Sequence, residues 1–162
     1  MTVTRFAAAL ILLLVVVVSG VTIAQTGAPL PRFAALRADE VNLRAGPGTE
    51  YPVEWVFLRR ALPIEITAEY GQWRKIRDFD GSEGWVHKSL LTGRRSVLVT
   101  GEIRTLRNNP APDAAPMARA EPGVIGRLLA CADGWCEVEA AGHTGWLPIA
   151  HLWGVYDGEV VE

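Results

Sequence analysis

The chain contains few of the residues from which catalytic and metal sites are usually built. It has two cysteines and three histidines among 162 residues. The cysteines and two of the histidines, His143 and His151, follow the spacing C-x4-C-x6-H-x7-H. Zinc fingers usually have about twelve residues between the two pairs and about three to five between the histidines. We therefore expect no metal site, and no sequence pattern calls for a cofactor.

The chain also lacks the patterns that mark a catalytic nucleophile or a phosphate loop. No serine, cysteine or threonine lies in a nucleophile-elbow sequence. Gly46-Pro47-Gly48 does not form a phosphate cradle, because proline lacks the backbone N–H that a cradle needs. Asp78 and Asp80 lie in a turn-rich loop, where solvated carboxylates are the ordinary case. We therefore expect a protein that is not an enzyme.

No excess of positive charge is present. The 16 basic and 18 acidic residues give a formal net charge of −2. Binding to nucleic acid rests on neutralising phosphates, so we expect no nucleic-acid partner. Arg59-Arg60, Arg74, Lys75 and Arg77 would form a basic patch if the strands brought them together. This patch could contact an anionic polymer or an acidic partner, or be a solvated face.

The only long hydrophobic run lies at the start of the chain. Arg5 precedes an unbroken apolar stretch from Phe6 to Val18, and Thr22-Ile23-Ala24 places small residues where a signal peptidase cuts. This layout predicts a secretory signal peptide over residues 1–24. The alternative is an uncleaved anchor, which is the only way we expect the protein to contact a membrane.

The two cysteines fit an exported protein. Cys131 and Cys136 flank a segment that contains Asp133-Gly134, a strong turn signal. A hairpin there would bring the cysteines opposite each other, within reach of a disulfide. Two free thiols are the alternative, which an oxidising compartment disfavours. The matching loop of the preceding segment ends in Glu69 and Arg74, which could form an ion pair in the same place.

One unit of about 60 residues occurs twice, since its landmarks recur at a nearly constant offset. Leu43-Arg44 recurs as Leu106-Arg107, Trp73 as Trp135, and Gly84-Trp85 as Gly145-Trp146. A unit of this size is small for an enzyme active site and typical of a binding module.

The pattern within each repeat predicts an all-β fold of small barrels. Pro63 to Ala68 alternates apolar and polar residues, and short strands separated by frequent turns continue to the end of the chain. We predict a linker over residues 25–37, a first domain over 38–93, a second over 97–156 and an acidic tail over 157–162. His87 to Leu91 predicts a single 3₁₀ turn. Whether Trp73 or Ile76 joins the core stays open.

The motifs resemble the bacterial SH3 domain family. The first repeat carries VNLRAGPGTEYPV, PIEI, GQWRKI and EGWVHKSLL, and the second carries the more distant LRNNPAPDAAP, EPGVIGRL, GWCEV and GWL. The resemblance implies two tandem, partly open antiparallel barrels of five to six strands. It also implies binding rather than catalysis, because related domains attach cell-wall enzymes to peptidoglycan or mediate protein contacts outside the cytoplasm. We therefore expect an extracytoplasmic protein, most simply in the bacterial periplasm.

The resemblance places the ligand against the long loop after the first strand. We expect binding of peptidoglycan or of an extended peptide from an envelope protein. In this picture Arg44 bonds carboxylates, Gly46 allows close approach and Tyr51 supplies a flat contact. The predicted ligand-binding residues are Asn42, Arg44, Gly46, Thr49, Tyr51 and Trp85.

The second repeat departs from this loop pattern. Thr105 stands in place of Asn42, and neither the Gly-Pro-Gly nor the Tyr-Pro element is present. We therefore expect the first repeat to bind and the second to brace it. The alternative function is a structural or assembly partner of another envelope protein, without wall binding. The oligomeric state stays open.

Tryptophans outside the loop have two interpretations each. Trp85 and Trp146 are either stacking platforms or core and inter-repeat packing, and we favour packing. Trp55 is either the rim of a groove beside Tyr51 or a contact with the other repeat, which we slightly favour. We expect Trp153 to seal the C-terminal tail against the second barrel.

Overall fold

Residues 28–162 are described by the computed structural model, and they form two antiparallel sheets of seven strands each. The predicted signal peptide and the first residues of the predicted linker lie outside this range. Among the described residues, no helix is long and apolar enough to span a bilayer.

The first unit comprises strands β1 to β7, arranged in the order β3-β2-β6-β5-β4-β1-β7. A 3₁₀ turn over Lys88–Leu90 joins the last two strands, as the sequence predicts. The strands are β1 (Arg32–Leu36), β2 (Val41–Arg44), β3 (Val53–Phe57), β4 (Pro63–Tyr70), β5 (Trp73–Arg77), β6 (Glu83–His87) and β7 (Leu91–Thr92).

The second unit repeats this arrangement in the order β10-β9-β13-β12-β11-β8-β14. Its 3₁₀ turn spans Ile149–His151. The strands are β8 (Ser96–Val99), β9 (Arg104–Arg107), β10 (Pro116–Ala120), β11 (Ile125–Ala132), β12 (Trp135–Ala140), β13 (His143–Pro148) and β14 (Leu152–Trp153). The predicted all-β fold of two tandem small barrels is confirmed.

Each sheet curls around a core of its own. Residues from β1 to β6 meet in the first core, and Ile64 and Ile76 within it are completely buried. Ile66 lies opposite Ile76 across the β4–β5 pair, so Ile76 rather than Trp73 joins the core face. The alternation of Pro63 to Ala68 therefore does mark a strand, but the expectation that it is half-buried is wrong over residues 63–66, where both faces, including Glu65, are covered.

The predicted linker is wrong at residues 32–36, which form strand β1 between β4 and β7. Ala34 and Leu36 enter the first core, while Phe33 contacts aromatic side chains of the second unit. Because both faces of β1 are covered, its sequence is apolar throughout and lacks the period of two that identifies a half-buried strand.

Strand β8 is the counterpart of β1 and was missed for the same reason. Val97 and Val99 enter the second core, and the Ser96 hydroxyl donates a 2.6 Å hydrogen bond to the Ala61 carbonyl of the first unit. With these strands and the short β7 and β14, each barrel has seven strands rather than the five to six expected.

The tips of the β4–β5 and β11–β12 hairpins are closed in two different ways. Glu69 lies opposite Arg74, and Arg74 Nε is 3.2 Å from Glu69 Oε1. Cys131 lies opposite Cys136 at the equivalent register, and the two form a disulfide. Both predictions are confirmed, so a covalent bond in one repeat replaces an ion pair in the other.

The C-terminal segment of the second unit packs on the first unit. Trp153 meets the Phe33 ring edge-on, with ring centroids 5.1 Å apart, and Arg77 of the first unit lies over the indole. Tyr156 also packs on Phe33, at 4.6 Å, and its hydroxyl donates a 2.9 Å hydrogen bond to Glu65. Trp153 does pair with Leu98 in the second sheet, but the expectation that its side chain seals the second barrel is wrong, because the indole packs on the first unit.

The predicted acidic tail is tied to the second unit rather than free. Glu159 pairs with Arg95 at 2.7 Å, and its carboxylate also accepts the backbone N–H of Tyr156. Val161 forms a two-way backbone bridge with Cys131. These bonds fix the segment that carries Tyr156 at the boundary between the units.

Candidate functional site

Arg44 closes the long loop between β2 and β3. Its Nη1 atom donates hydrogen bonds to the carbonyls of Thr49, at 3.2 Å, and Tyr51, at 2.7 Å. The backbone N–H of Ala45 donates to Pro52 at 3.1 Å. We had expected the Arg44 guanidinium to bind a ligand. At least its Nη1 atom instead shapes the loop.

Gly46 lies beneath the ring of Tyr51. A Cβ atom built on Gly46 would overlap the ring, and Gly46 itself is buried. The space that we expected Gly46 to leave for a ligand is thus filled by Tyr51. Tyr51 as a whole residue nevertheless remains 41% exposed.

A row of side chains crosses the outer face of the sheet beside this loop. In register, Val53 lies opposite Arg44, Arg44 opposite Trp85, and Trp85 opposite Lys75. Residues directly opposite in an antiparallel pair point to the same face, so the four side chains form one continuous row, the outer row of the first unit. Trp85 is half-buried and outside the core cluster, so our preference for core packing is wrong for it.

The remaining predicted residues border the outer row. Asn42 lies two residues before Arg44 on the same strand, opposite Val56, and is half-buried. Thr49 is exposed on the loop. Five of the six predicted residues thus lie on or beside the outer face and its loop, while Gly46 is buried beneath Tyr51. Binding of a ligand by these residues stays a prediction.

The same face also carries an aromatic pair that was not predicted from the sequence. Trp73 lies opposite His87, with ring centroids 5.5 Å apart in an edge-to-face arrangement. Trp73 and Lys75 are two residues apart on β5, so they share the outer face. The period of two around Ile76 could have revealed this once Ile76 was assigned to the core.

The charges of this face are partly neutralised. Lys75 Nζ lies 2.8 Å from Glu83, and a hydrogen bond from Lys75 lowers the pKa of that carboxyl. Arg74 pairs with Glu69, and Arg77 pairs with Glu65. Three members of the basic patch considered from the sequence therefore have acidic partners. Arg74 lies on the opposite face of β5 from Lys75 and Arg77, so the strands do not bring the three together in one patch.

The hydrogen bonds from Arg44 to the loop carbonyls can be called the loop clamp. The second unit keeps an equivalent loop clamp but has no aromatic ring at the position of Tyr51. Arg107 Nη1 donates a 2.6 Å hydrogen bond to the carbonyl of Ala114, which occupies the position of Tyr51. Its outer row runs from Arg107 to Trp146 to Glu137, so an acid replaces Lys75. The clamp is thus common scaffold, and Tyr51 and Lys75 distinguish the first unit.

We slightly favoured docking of Trp55 on the second repeat, but the residue is 59% exposed and is not covered by that repeat. It borders a groove of about 510 Å³ with Leu58 and Phe79. Strand β3, which carries Trp55, is an edge strand of the described sheet.

Within residues 28–162, no cluster of three or more His, Cys, Asp or Glu side chains could hold a metal ion.

The sequence matches a family model described as the bacterial SH3 domain twice, over residues 37–93 and 101–154. A protein of Bacillus subtilis strain 168 that bears the name "Putative N-acetylmuramoyl-L-alanine amidase YrvJ" is 25% identical over 125 residues. The match covers 70% of this chain and 24% of that protein, so this chain spans about a quarter of its relative's length.

Two solved structures from Trichomonas vaginalis also align with the chain. NlpC1 gives a TM-score of 0.36 with 12% identity, over 80% of this chain and 48% of NlpC1. NlpC2 gives a TM-score of 0.36 with 11% identity, over 78% of this chain and 49% of NlpC2. These TM-scores are too low to indicate a shared overall arrangement.

Proposed function

The chain belongs to the bacterial SH3 domain family, and on this premise we propose that it is a cell-envelope binding protein without catalytic activity. It recognises peptidoglycan, or an extended peptide, through the loop and outer row of the first unit. The observation that carries the proposal is Tyr51: Arg44 bonds its carbonyl and its ring covers Gly46, yet the residue is still 41% exposed.

The chemistry of this surface suits an extended, partly charged ligand. Tyr51 and Trp85 offer flat faces for apolar or sugar contacts, and both can donate a hydrogen bond at the edge. Arg44 and Lys75 lie on either side of Trp85. Arg44 keeps its positive charge while its Nη1 bonds neutral loop carbonyls, and it is the group we assign to the carboxylates of a peptide stem, whereas Lys75 is already paired with Glu83. Because the clamp holds the loop before binding, little conformational entropy is lost on association.

The amidase name of the Bacillus relative supports a wall ligand for this chain. The relative is about four times longer than the matched segment, so the shared part is consistent with a targeting module attached to a different activity. As part of the same proposal, the protein acts outside the cytoplasm, in the bacterial periplasm. The N-terminal sequence and the Cys131–Cys136 disulfide support this location.

The test is co-sedimentation with purified peptidoglycan. Wild type is expected to pellet saturably, and Tyr51→Ala is expected to weaken binding about tenfold or more, a loss typical of an aromatic anchor. Met117→Ala, which removes another exposed apolar side chain in the second unit, is the matched control and should bind as wild type. Absence of saturable binding by folded wild type would refute a wall ligand.

A second candidate is an assembly partner of another envelope protein, and the exposed edge strand β3 favours it. Val53, Trp55 and Val56 are 42%, 59% and 39% exposed along this edge. An unpaired edge of this kind can accept an added strand from a partner. Co-purification of an envelope protein that Trp55→Lys abolishes, without wall binding, would support this candidate over the first.

A further inference from the structure

A cavity of about 620 Å³ lies between the two units, on a different surface from the Tyr51 loop. Its walls come from β1 and the end of the β3–β4 loop in the first unit, and from β8 and β11 in the second. This volume is in the range of small-molecule sites. The five ionisable side chains that line it are all arginines: Arg37, Arg60, Arg94, Arg95 and Arg127.

Two of these arginines already have acidic partners. Arg127 pairs with Glu139, and Arg95 donates to Glu159 and to the Gly154 carbonyl. The Nε atom of Arg95 is nevertheless buried and has no hydrogen-bond partner in the described chain. Arg95 is therefore a guanidinium fixed in the wall by Glu159 and Gly154, and its buried Nε is not a donor that a ligand in the cavity can reach.

The other three arginines leave the cavity strongly positive. Arg37, Arg60 and Arg94 are exposed, and none of them forms an ion pair within residues 28–162. Three unpaired positive charges in one concave site are notable in a chain whose formal net charge is −2. A concave wall of one sign concentrates oppositely charged ligands.

We propose that this cavity binds a small molecule through a phosphate group. Arginine presents several N–H donors in a planar fork, which matches the oxygens of phosphate, and it stays charged at every pH of interest. The volume exceeds what a single phosphate needs and leaves room for an attached sugar or glycerol. The phosphate could come from a sugar phosphate or from a phospholipid headgroup, and both present the same chemistry to the arginines.

The site is independent of the proposed wall surface. Its arginines lie in the inter-unit cavity, whereas Tyr51 and Trp85 belong to the loop and outer row of the first unit. A chain with Tyr51→Ala should therefore keep phosphate binding. A chain with the three exposed arginines replaced should keep wall binding, so failure of one proposal is separable from failure of the other.

Isothermal titration of the full chain with glucose 1-phosphate, glycerophosphoglycerol and inorganic phosphate tests the proposal. The first two probes distinguish a sugar phosphate from a lipid headgroup, and we expect at least one to bind saturably. Each single variant, Arg37→Gln, Arg60→Gln or Arg94→Gln, should weaken binding about tenfold, as loss of a charge-assisted hydrogen bond does. The triple variant should abolish it.

Arg119→Gln is the matched control, because Arg119 is an exposed arginine on β10 outside the cavity. It should bind as wild type does. Circular dichroism should show all variants folded, since the replaced side chains are exposed. Succinate, a dicarboxylate of similar charge, should bind clearly more weakly than the phosphates. The proposal is overturned by no saturable binding of any phosphate to folded wild type, by undiminished binding in the triple variant, or by equal binding of succinate.

Discussion

The hydroxyl of Tyr156 donates a 2.9 Å hydrogen bond to Oε1 of Glu65, 91 positions earlier in the chain. Glu65 is almost completely buried, and its other oxygen pairs with Arg77. Tyr156 thus joins the C-terminal segment of the second unit to a carboxylate on β4 of the first. The bond explains how an acidic residue is accommodated in a strand that is otherwise apolar where it is buried.

Tyr156→Phe removes this bond and leaves a buried carboxylate oxygen without its donor. We expect a loss of about 1–2 kcal/mol in the free energy of unfolding. Urea denaturation compares the variant with wild type, and Tyr70→Phe, at an exposed tyrosine, serves as the control. Equal stability of the Tyr156 variant and wild type would mean that the bond does not stabilise the packing of the units.

Alkaline pH should weaken the same contact. Burial raises the pKa of Tyr156 above its ordinary value of 10.0, and the hydrogen bond to Glu65 raises it further. The unfolded chain then loses this proton before the folded one does, so stability is complete below pH 10 and falls as pH rises further. Unfolding measured between pH 9 and 11 should show a steeper decline in wild type than in Tyr156→Phe.

Acidic pH should weaken the anchor of the C-terminal segment. Burial acts to raise the pKa of Glu159, but hydrogen bonds from Arg95 and from the Tyr156 backbone outweigh it and lower the pKa below 4.5. A lowered folded pKa gives stability that is present above pH 4.5 and lost as pH falls through the folded value. Glu159→Gln should therefore be less stable at pH 7 and should lose less of its stability on acidification. An unchanged acid profile would contradict this.

The disulfide should contribute more than the ion pair that replaces it in the first unit. Cys131→Ser with Cys136→Ser should lower the free energy of unfolding by about 2 kcal/mol, the loop-entropy value for so short a ring. Cys131→Glu with Cys136→Arg copies the pair of the first unit and should recover less than about 1 kcal/mol. Full recovery by this pair would show that the covalent bond adds nothing beyond a cross-strand contact.

Gly154 should tolerate no side chain. It has φ of +114°, and a Cβ there would overlap the Ser96 carbonyl and lie 3.1 Å from Pro63 Cβ of the first unit. Gly154→Ala should destabilise by about 1–3 kcal/mol more than Gly158→Ala, whose φ is also positive but whose Cβ meets nothing within 4 Å. Equal effects in thermal unfolding would mean that only backbone strain matters and that the close approach does not.

The sequence was sufficient for the parts of the fold that obey local rules. Alternation identified β4, and the Asp133-Gly134 turn identified the disulfide hairpin. It was insufficient where tertiary packing covers a strand on both sides, as at β1 and β8. The partner of Trp153 was missed because that partner is Phe33, 120 positions away in the chain, and no local sequence pattern indicates a contact of that kind.

The candidate site was predicted in place but not in detail. The loop motif located Arg44, Gly46 and Tyr51 together, and the structure does bring them together. Their roles were harder to predict, because a sequence does not show that Arg44 bonds the loop carbonyls or that the Tyr51 ring covers Gly46. Both roles depend on how the loop folds back on itself.

Wall recognition by the first unit is tested most directly by the two equivalent loop clamps. Arg44→Ala and Arg107→Ala each remove one clamp, from the first and second unit respectively. Both variants are measured by saturation co-sedimentation with peptidoglycan. Each loses a clamp, but only Arg44→Ala alters the proposed binding surface, so the comparison separates the two effects. We predict that Arg44→Ala binds about tenfold or more weakly and that Arg107→Ala binds as wild type does. Equal binding by the two variants would contradict recognition through the first unit.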